Sequence, residues 1–464
     1  MSTQDGLTAA EEKMREAGQP DEAVRSFRSA YERLVGGESA MLPSAELEPE
    51  GEVDRFEELP DADAGDVLDR VAVIKLNGGL ATTMGLRSPK SLVEARAGHS
   101  FLDVIVRQTL ALRHRYDVRL PLVLMNSQAT REETLRALEA YPDLDVGLPL
   151  DFLQSMVPKL TADEREPVSW EQDPSLEWNP PGHGDVYPAL RGSGMLDALL
   201  ESGVRYAMIS NADNLGARTD ARIPAHMERG DIPFLMEVVL GTEADRKGGH
   251  IARRRSDGHL VLRETAQTPK EDEESFRDYR RWRYYNTNSL WVDLQVLQAT
   301  LDESDGVLEL PLIVNRKTVD PRDPDSPAVL QLESAMGAAI GSIRGAQLLL
   351  VPRTRFAPVK TTDDLLVLRS DVYTLSEDDM IVAPIPERAE DLPYVELDSS
   401  FYKLLDDFEA RFPEGPPSLR EAERLVVHGD VTFGRGVRVR GAVELEAPEP
   451  TRIDAGATLE GEGR

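Results

Sequence analysis

The sequence predicts an α/β protein, in which a parallel or mixed sheet covered by helices is followed by a small parallel β-helix. Two observations carry the class. Between residues 67 and 380 short apolar strands alternate with helical patterns, and beyond residue 420 paired apolar positions recur every six residues. A third observation, glycines directly after the first apolar strand, predicts a ligand site beyond the carboxyl edge of the sheet. With 464 residues the chain divides into an N-terminal helical segment and connector (1–66), a catalytic body (67–380) and a C-terminal linker, helix and β-helix (381–464).

Taken in order, Val24, Phe27, Tyr31 and Leu34 make one stripe of a helix over 21–34, with Asp21 as a candidate N-cap. Residues 36–66, rich in Gly, Pro, Asp and Glu, read as a connector outside the core. Val71–Leu76 is a continuous apolar strand broken only by Lys75. A helix over 101–112, a strand at 121–125, a helix over 131–140 and a strand near Phe152 follow. A helix over 193–201 leads into strands at 206–210 and 234–240. Pro384, Pro386 and Pro393 mark a linker, and a helix around 401–412 comes next. Then Leu425/Val427, Val431/Phe433, Val437/Val439 and Val443/Leu445 step by six residues, and Ile453 and Leu459 repeat the step. A set of β-hairpins is the alternative to a solenoid. So short a solenoid must dock on the catalytic body or on another subunit.

Charge excludes several function classes. The chain has 84 acidic and 53 basic residues and a formal net charge of −31, which argues against nucleic-acid or anionic-membrane partners. Without cysteine there are no disulfides, thiolate nucleophiles or Cys-ligated metals. The opening residues are polar and no apolar run approaches a membrane span, so a cytoplasmic protein is expected. Nine lysines stand among the 53 basic residues. Each invites the question of why a compact ammonium is kept where arginine is the default.

The segment Lys75-Leu-Asn-Gly-Gly-Leu-Ala-Thr-Thr-Met-Gly85, continuing to Ser88-Pro89-Lys90, carries the strongest chemistry. Glycines after a strand let backbone N–H groups approach phosphates or a base edge, and Lys90 can fold back over them. The pattern is neither GxxxxGK[ST] nor GxGxxG, which disfavours ATPases and dehydrogenases. Asp213, just after a strand, can hold Mg²⁺ against phosphate oxygens or simply make a turn, as Asn211 and Asn214 also can. His183 between two glycines can donate to a phosphate or be a packing residue. Gln154 offers an amide that suits a base edge or a solvated strand end. Asn286 and Asn288 suit a hexose or a polar turn. The acidic runs at 163–166 and 271–274 read as solvated faces.

With these residues the chain resembles the eukaryotic-type UTP–glucose-1-phosphate uridylyltransferase (UDP-glucose pyrophosphorylase) family. The likeness continues through Pro181-Gly-His-Gly-Asp185, Ser210-Asn-Ala-Asp-Asn-Leu-Gly216, Asn286-Thr-Asn-Ser-Leu-Trp291 and Phe356-Ala-Pro-Val-Lys-Thr-Thr362. The resemblance implies a Rossmann-like nucleotidyltransferase domain followed by a left-handed β-helix. It implies Mg²⁺-dependent, reversible formation of UDP-glucose and pyrophosphate from UTP and glucose 1-phosphate, with a broader UDP-sugar or UDP-N-acetylhexosamine pyrophosphorylase as the alternative. By the same resemblance Leu76, Asn77, Gly78, Gly79, Lys90, Gln154, Gly182, Asn211, Asp213 and Lys360 bind UTP, with Lys90 and Lys360 catalytic and Asp213 the metal ligand. His183, Gly249, Glu264, Asn286 and Asn288 take the sugar phosphate. Self-association through the C-terminal domain is a further implication, left open because the chain stops soon after Leu459. Ala81 stands where the family has glycine. A methyl group at φ > 0 costs roughly 1–2 kcal/mol, so φ < 0 is expected there.

Overall fold

The computed structural model describes residues 3–38 and 40–461. Seven strands form the body of the central sheet: β1 (Val71–Asn77), β2 (Leu122–Asn126), β3 (Asp151–Leu153), β4 (Tyr206–Asn211), β5 (Phe234–Leu240), β6 (Tyr284–Asp293) and β7 (Gln347–Leu350). They lie in the order β7-β5-β6-β4-β1-β2-β3, and Asp54–Arg55 extends the β7 edge. The sheet is mixed. β6 runs antiparallel to both β4 and β5, while β4-β1-β2-β3 and β5-β7 pair in parallel.

The apolar run of β1 has the composition of a strand covered on both faces. Val71 and Val73 enter one core layer, and Ala72 and Ile74 enter the other. Helix Phe101–Tyr116 begins on a reciprocal capping box between Ser100 and Asp103, and Gln128–Leu138 on one between Ser127 and Thr130. The helix expected over 193–201 is Met195–Glu201, starting after Gly194 at φ +76°, and an unexpected helix over Val186–Gly192 precedes it. The segment around 401–412 breaks likewise into Ser399–Tyr402 and Leu405–Arg411.

At the N-terminus Pro20, not Asp21, occupies the cap position of helix Asp21–Gly36. A helix over Thr3–Glu16 precedes it, burying Leu7, Ala10 and Met14. The connector is less detached than its composition suggests. Leu47–Pro49 pairs with His250–Arg254, and Leu47, Phe56 and Leu59 are buried. Strands of two or three residues have no period to read, so such anchoring leaves no local signal. Asp272, in an acidic run expected to be solvated, accepts from Ser44 N at 2.6 Å and pairs with the buried Arg263 at 3.3 Å.

The C-terminal strands β8 (Tyr394–Leu397), β9 (Ser418–Phe433), β10 (Arg438–Ile453) and β11 (Thr458–Glu460) form one sheet in which every pairing is parallel. Hairpins are thereby excluded. Leu425 sits opposite Val443 and Val427 opposite Leu445, so partners are separated by three of the six-residue steps. Val431, Phe433, Val437 and Val439 are buried, as the hexad pattern requires. This sheet docks on the body. Leu425 and Phe433 share a continuous apolar core with Val71 and Val73, Asp371 accepts from Ser418 Oγ at 2.6 Å and Leu419 N at 2.9 Å, and Asp363 accepts from Leu397 N at 2.9 Å. Among the described residues no helix is long and apolar enough to cross a membrane.

Candidate active site

Strand direction assembles the site. Leu76 lies beside Asn211 in the β1–β4 register, and Ser289 faces Ser210 across β4–β6. Because β6 runs backwards, its opening residues Asn286 and Asn288 share the sheet edge at which β1 and β4 end. Residues 79 positions apart in sequence, Ser210 and Ser289, therefore meet.

The glycine loop is built to be open. A Cβ on Gly78 would lie 2.5 Å from Gln154 Oε1, whereas one on Gly79 meets no atom within 4 Å. The Gln154 amide thus lies directly on Gly78, and Gln154 N donates to Asn126 O at 2.8 Å. The loop is closed by Ala81 N to Ser88 O at 3.1 Å and Lys90 N to Gly79 O at 3.2 Å. Ala81 has φ −78° and is fully buried, as expected; the positive φ of the turn falls on Gly85 at +79°. The Asn77 side chain turns inward, donating to Asn126 Oδ1 at 2.8 Å and Thr134 Oγ1 at 3.0 Å. It staples strand ends, and only its backbone faces the loop.

Lys90 and Asp213 meet, 2.7 Å between Nζ and Oδ2, both partly exposed. The other carboxylate oxygen, Oδ1, is buried without a hydrogen-bond partner. Asn214 makes the turn anticipated for it, accepting from Gly216 N at 3.1 Å and Ala357 N at 2.9 Å. Val359 N donates to Asp213 O at 3.1 Å, and Asn214 bridges Pro358. Lys360 is thereby tethered beside Asp213 by the segment that precedes it. Its side chain is exposed and forms no ion pair among the described residues, while its backbone N–H donates to Asp364 Oδ2 at 2.7 Å.

Gly182 takes φ +80°, and a Cβ there would fall 2.4 Å from Ser334 O, so no larger residue fits. Gly184 N donates to Ser334 O and Ser334 N to Pro181 O, each at 2.9 Å. Met336 N donates to His183 Nδ1 at 2.9 Å. Burial pushes the imidazole down to about 4. The ring is therefore neutral near pH 7, and with Nδ1 accepting, its proton sits on Nε2.

On the sugar side, a Cβ on Gly249 would lie 2.6 Å from the Glu264 carboxyl, and Asn286 N donates to Gly249 O at 3.0 Å. Asn286 Nδ2 donates to Asn288 Oδ1, and Asn288 N to Asn286 Oδ1, each at 2.8 Å. Asn288 sits at φ +55°, a conformation asparagine tolerates better than most residues. Burial raises the Glu264 carboxyl, and the Lys360 charge opposes it. Gly337, next to the Met336 that holds His183, lies against Asn286: a Cβ there would be 3.0 Å from Nδ2. His183, Asn286, Asn288, Gly249 and Glu264 are thus joined in one cluster through Met336 and Gly337.

Three contributors carry no readable motif: the 334–337 backbone, Asp364, and the carboxyl of Asp185. Asp185 accepts from Ser155 N at 2.6 Å, tying the strip to the Gln154 segment, and burial pushes it up to about 7. The partners of Asp185 and of the 334–337 backbone lie 30 or more residues away, so no spacing could reveal them, while Asp364 acts on the Lys360 backbone four residues before it. For a divalent cation the fit is good. Asp213 keeps a buried oxygen free of hydrogen bonds, and Mg²⁺ is commonly held by one or two carboxylates with substrate phosphates completing its shell.

Comparison with known proteins agrees with this geometry. Residues 24–440 match the family model for UTP--glucose-1-phosphate uridylyltransferase. The chain is 38% identical to the Hordeum vulgare UTP--glucose-1-phosphate uridylyltransferase, over 98% of this chain and 95% of the relative. It is 40% identical to a probable one from Schizosaccharomyces pombe, over 85% and 77%. A mutant UDP-glucose pyrophosphorylase from Leishmania major in complex with UDP-glucose superposes with a TM-score of 0.94 at 41% identity, covering 100% of this chain and 99% of that one. The Trypanosoma brucei enzyme superposes at 0.91 with 42% identity and 99% of each chain covered. A glycine cradle, a lysine–aspartate pair and a paired-asparagine pocket on one sheet edge, with matches of this length, place the chain in the UTP--glucose-1-phosphate uridylyltransferase family.

Proposed function

We propose that the chain transfers the uridylyl group of UTP to α-D-glucose 1-phosphate, giving UDP-glucose and pyrophosphate, reversibly and in the cytoplasm. The observation that carries this reading is the meeting of Lys90, Asp213 and the segment bearing Lys360 beside the open glycine loop. An oxygen of the sugar phosphate attacks the α-phosphorus of UTP in line; a new P–O bond forms as the bond to the β-phosphate bridging oxygen breaks, and pyrophosphate leaves. No general base is required, because a phosphate monoester loses its second proton near pH ~6. This accounts for a site without a Ser/His/Asp arrangement.

Catalysis then consists of positioning and charge stabilisation. Gly78, Gly79 and the backbone of Leu76 and Asn77 leave room for the nucleotide, the Gln154 amide and Gly182 meet uracil, and Asn211 flanks the nucleotide. Lys90 exchanges its Asp213 partner for phosphate oxygens when UTP enters, and Lys360 closes from the opposite side. Neutral His183 donates from Nε2 to the sugar phosphate without having to titrate. Asn286, Asn288 and Glu264 supply the donors and acceptors that hexose hydroxyls need, and Gly249 leaves space for the ring. Asp213 would hold Mg²⁺, which when bound neutralises charge on the phosphates. The C-terminal parallel strands, recurring at three hexads per partner, are read as a short left-handed β-helix closing the 381–464 domain. The body at 67–380 is read as the Rossmann-like nucleotidyltransferase domain.

Pyrophosphate release with UTP and glucose 1-phosphate, set against other nucleoside triphosphates and against galactose 1-phosphate and N-acetylglucosamine 1-phosphate, tests this. Turnover highest for UTP with glucose 1-phosphate supports it. Preference for an N-acetylated sugar would overturn the glucose assignment.

A further inference from the structure

On the face of β1 away from the 182–184 strip, a cavity of about 440 Å³ lies between helix Phe101–Tyr116 and residues 217–222. That volume is in the range of small-molecule sites. None of the residues assigned above to nucleotide or sugar lines it. Its walls are apolar at Leu68, Val73, Ile105 and Leu112, yet Lys75, Arg218, Arg222 and Arg355 also line it. Arg222 is neutralised by Asp220 and Arg355 by Glu237. Lys75 and Arg218 form no ion pair among the described residues.

These two groups are under-satisfied. Lys75 is only 3% exposed. Its ammonium donates to Ser210 Oγ at 2.7 Å and Ala217 O at 3.0 Å, which leaves one of three N–H bonds without a protein acceptor. Arg218 Nε is buried with no partner at all. Burial pushes the Lys75 ammonium down to about 7, as expected for a buried charge lacking a counter-ion. Of the carboxylates that line the cavity, Asp220 pairs with Arg222, Asp379 pairs with Arg115 and Asp61 is exposed, so Lys75 and Arg218 are the cations there without a carboxylate partner.

We propose that this cavity is a second ligand site, distinct from the candidate active site, for a small amphipathic monoanion with an aromatic or aliphatic body and one carboxylate, sulfonate or phosphate group. The anionic group lies between Lys75 and Arg218, and the body fills the apolar walls.

The test titrates 8-anilinonaphthalene-1-sulfonate, a fluorescent probe of this chemistry, into the full chain with and without saturating UDP-glucose. The expected result is one site per chain with the same affinity in both conditions, weakened at least ~10-fold by Arg218→Gln and abolished by Ala111→Trp, which fills the cavity. Circular dichroism checks that each variant folds; if Ala111→Trp does not, Arg218→Gln decides alone. Displacement of the probe by UDP-glucose, or undiminished binding to a folded variant, overturns the proposal. Binding is read without turnover, so the outcome is independent of the proposed reaction.

Discussion

Single atoms decide much of this site. Gly182 shows how one hydrogen in place of a methyl group shapes a binding strip: its φ of +80° and the Ser334 carbonyl 2.4 Å from a would-be Cβ leave no alternative. Gly182→Ala is expected to lower unfolding free energy by at least ~1–2 kcal/mol from the backbone conformation alone and to raise KM for UTP. Denaturant titration and initial rates measure both; an unchanged KM would detach the strip from the nucleotide. At this scale the sequence was informative wherever a residue type is scarce or sterically special. Lysines 90 and 360, the paired glycines and the paired asparagines all fall in the site. It was uninformative where a side chain has two equally good uses: the side chain of Asn77, in the glycine segment, holds neighbouring strand ends together.

Elements bring those residues into register, and the strand following Gly249 illustrates the energetic cost. His250 opens strand His250–Arg254 fully buried, stacked on Trp282 at 4.9 Å, with both ring nitrogens lacking partners. Burial and then the neighbouring Arg263 push its imidazole down to about 3. Between pH ~6.5 and 3 the unfolded chain binds this proton and the folded chain does not, so stability is lost as pH falls through that window. His250→Phe keeps the stack and removes the titration. The stability of the parent relative to this variant is expected to fall by about 3 kcal/mol between pH 7 and pH 4. A pH-independent difference, measured by denaturant unfolding at each pH, would contradict that origin. Long apolar strands and the hexad period were legible because repetition averages out local ambiguity. The helix over Val186–Gly192, the break within 401–412 and the short connector strands were not, since tertiary contacts set them.

For the molecule as a whole, net charge and site charge oppose each other. A body of −31 repels a polyanionic substrate from a pocket lined by two lysines, and the Debye length shrinks from ~30 Å at 0.01 M to ~8 Å at 0.15 M salt. Over that range kcat/KM for UTP is expected to rise; a monotonic fall would mean that local cations dominate even the approach. The architecture was legible as class and order, from alternating strands and helices followed by hexads. The docking of the C-terminal sheet through Asp363 and Asp371 was not, because each carboxylate meets backbone more than thirty residues away. The central claim spans the whole chain: lysines from positions 90 and 360 act together on one phosphate chain beside Asp213. Steady-state turnover of Lys360→Ala, with its thermal melting compared to the parent, tests it most directly. The expected loss is ~10²–10³-fold in kcat with an unchanged melting temperature, and a folded variant turning over at the parental rate would contradict it.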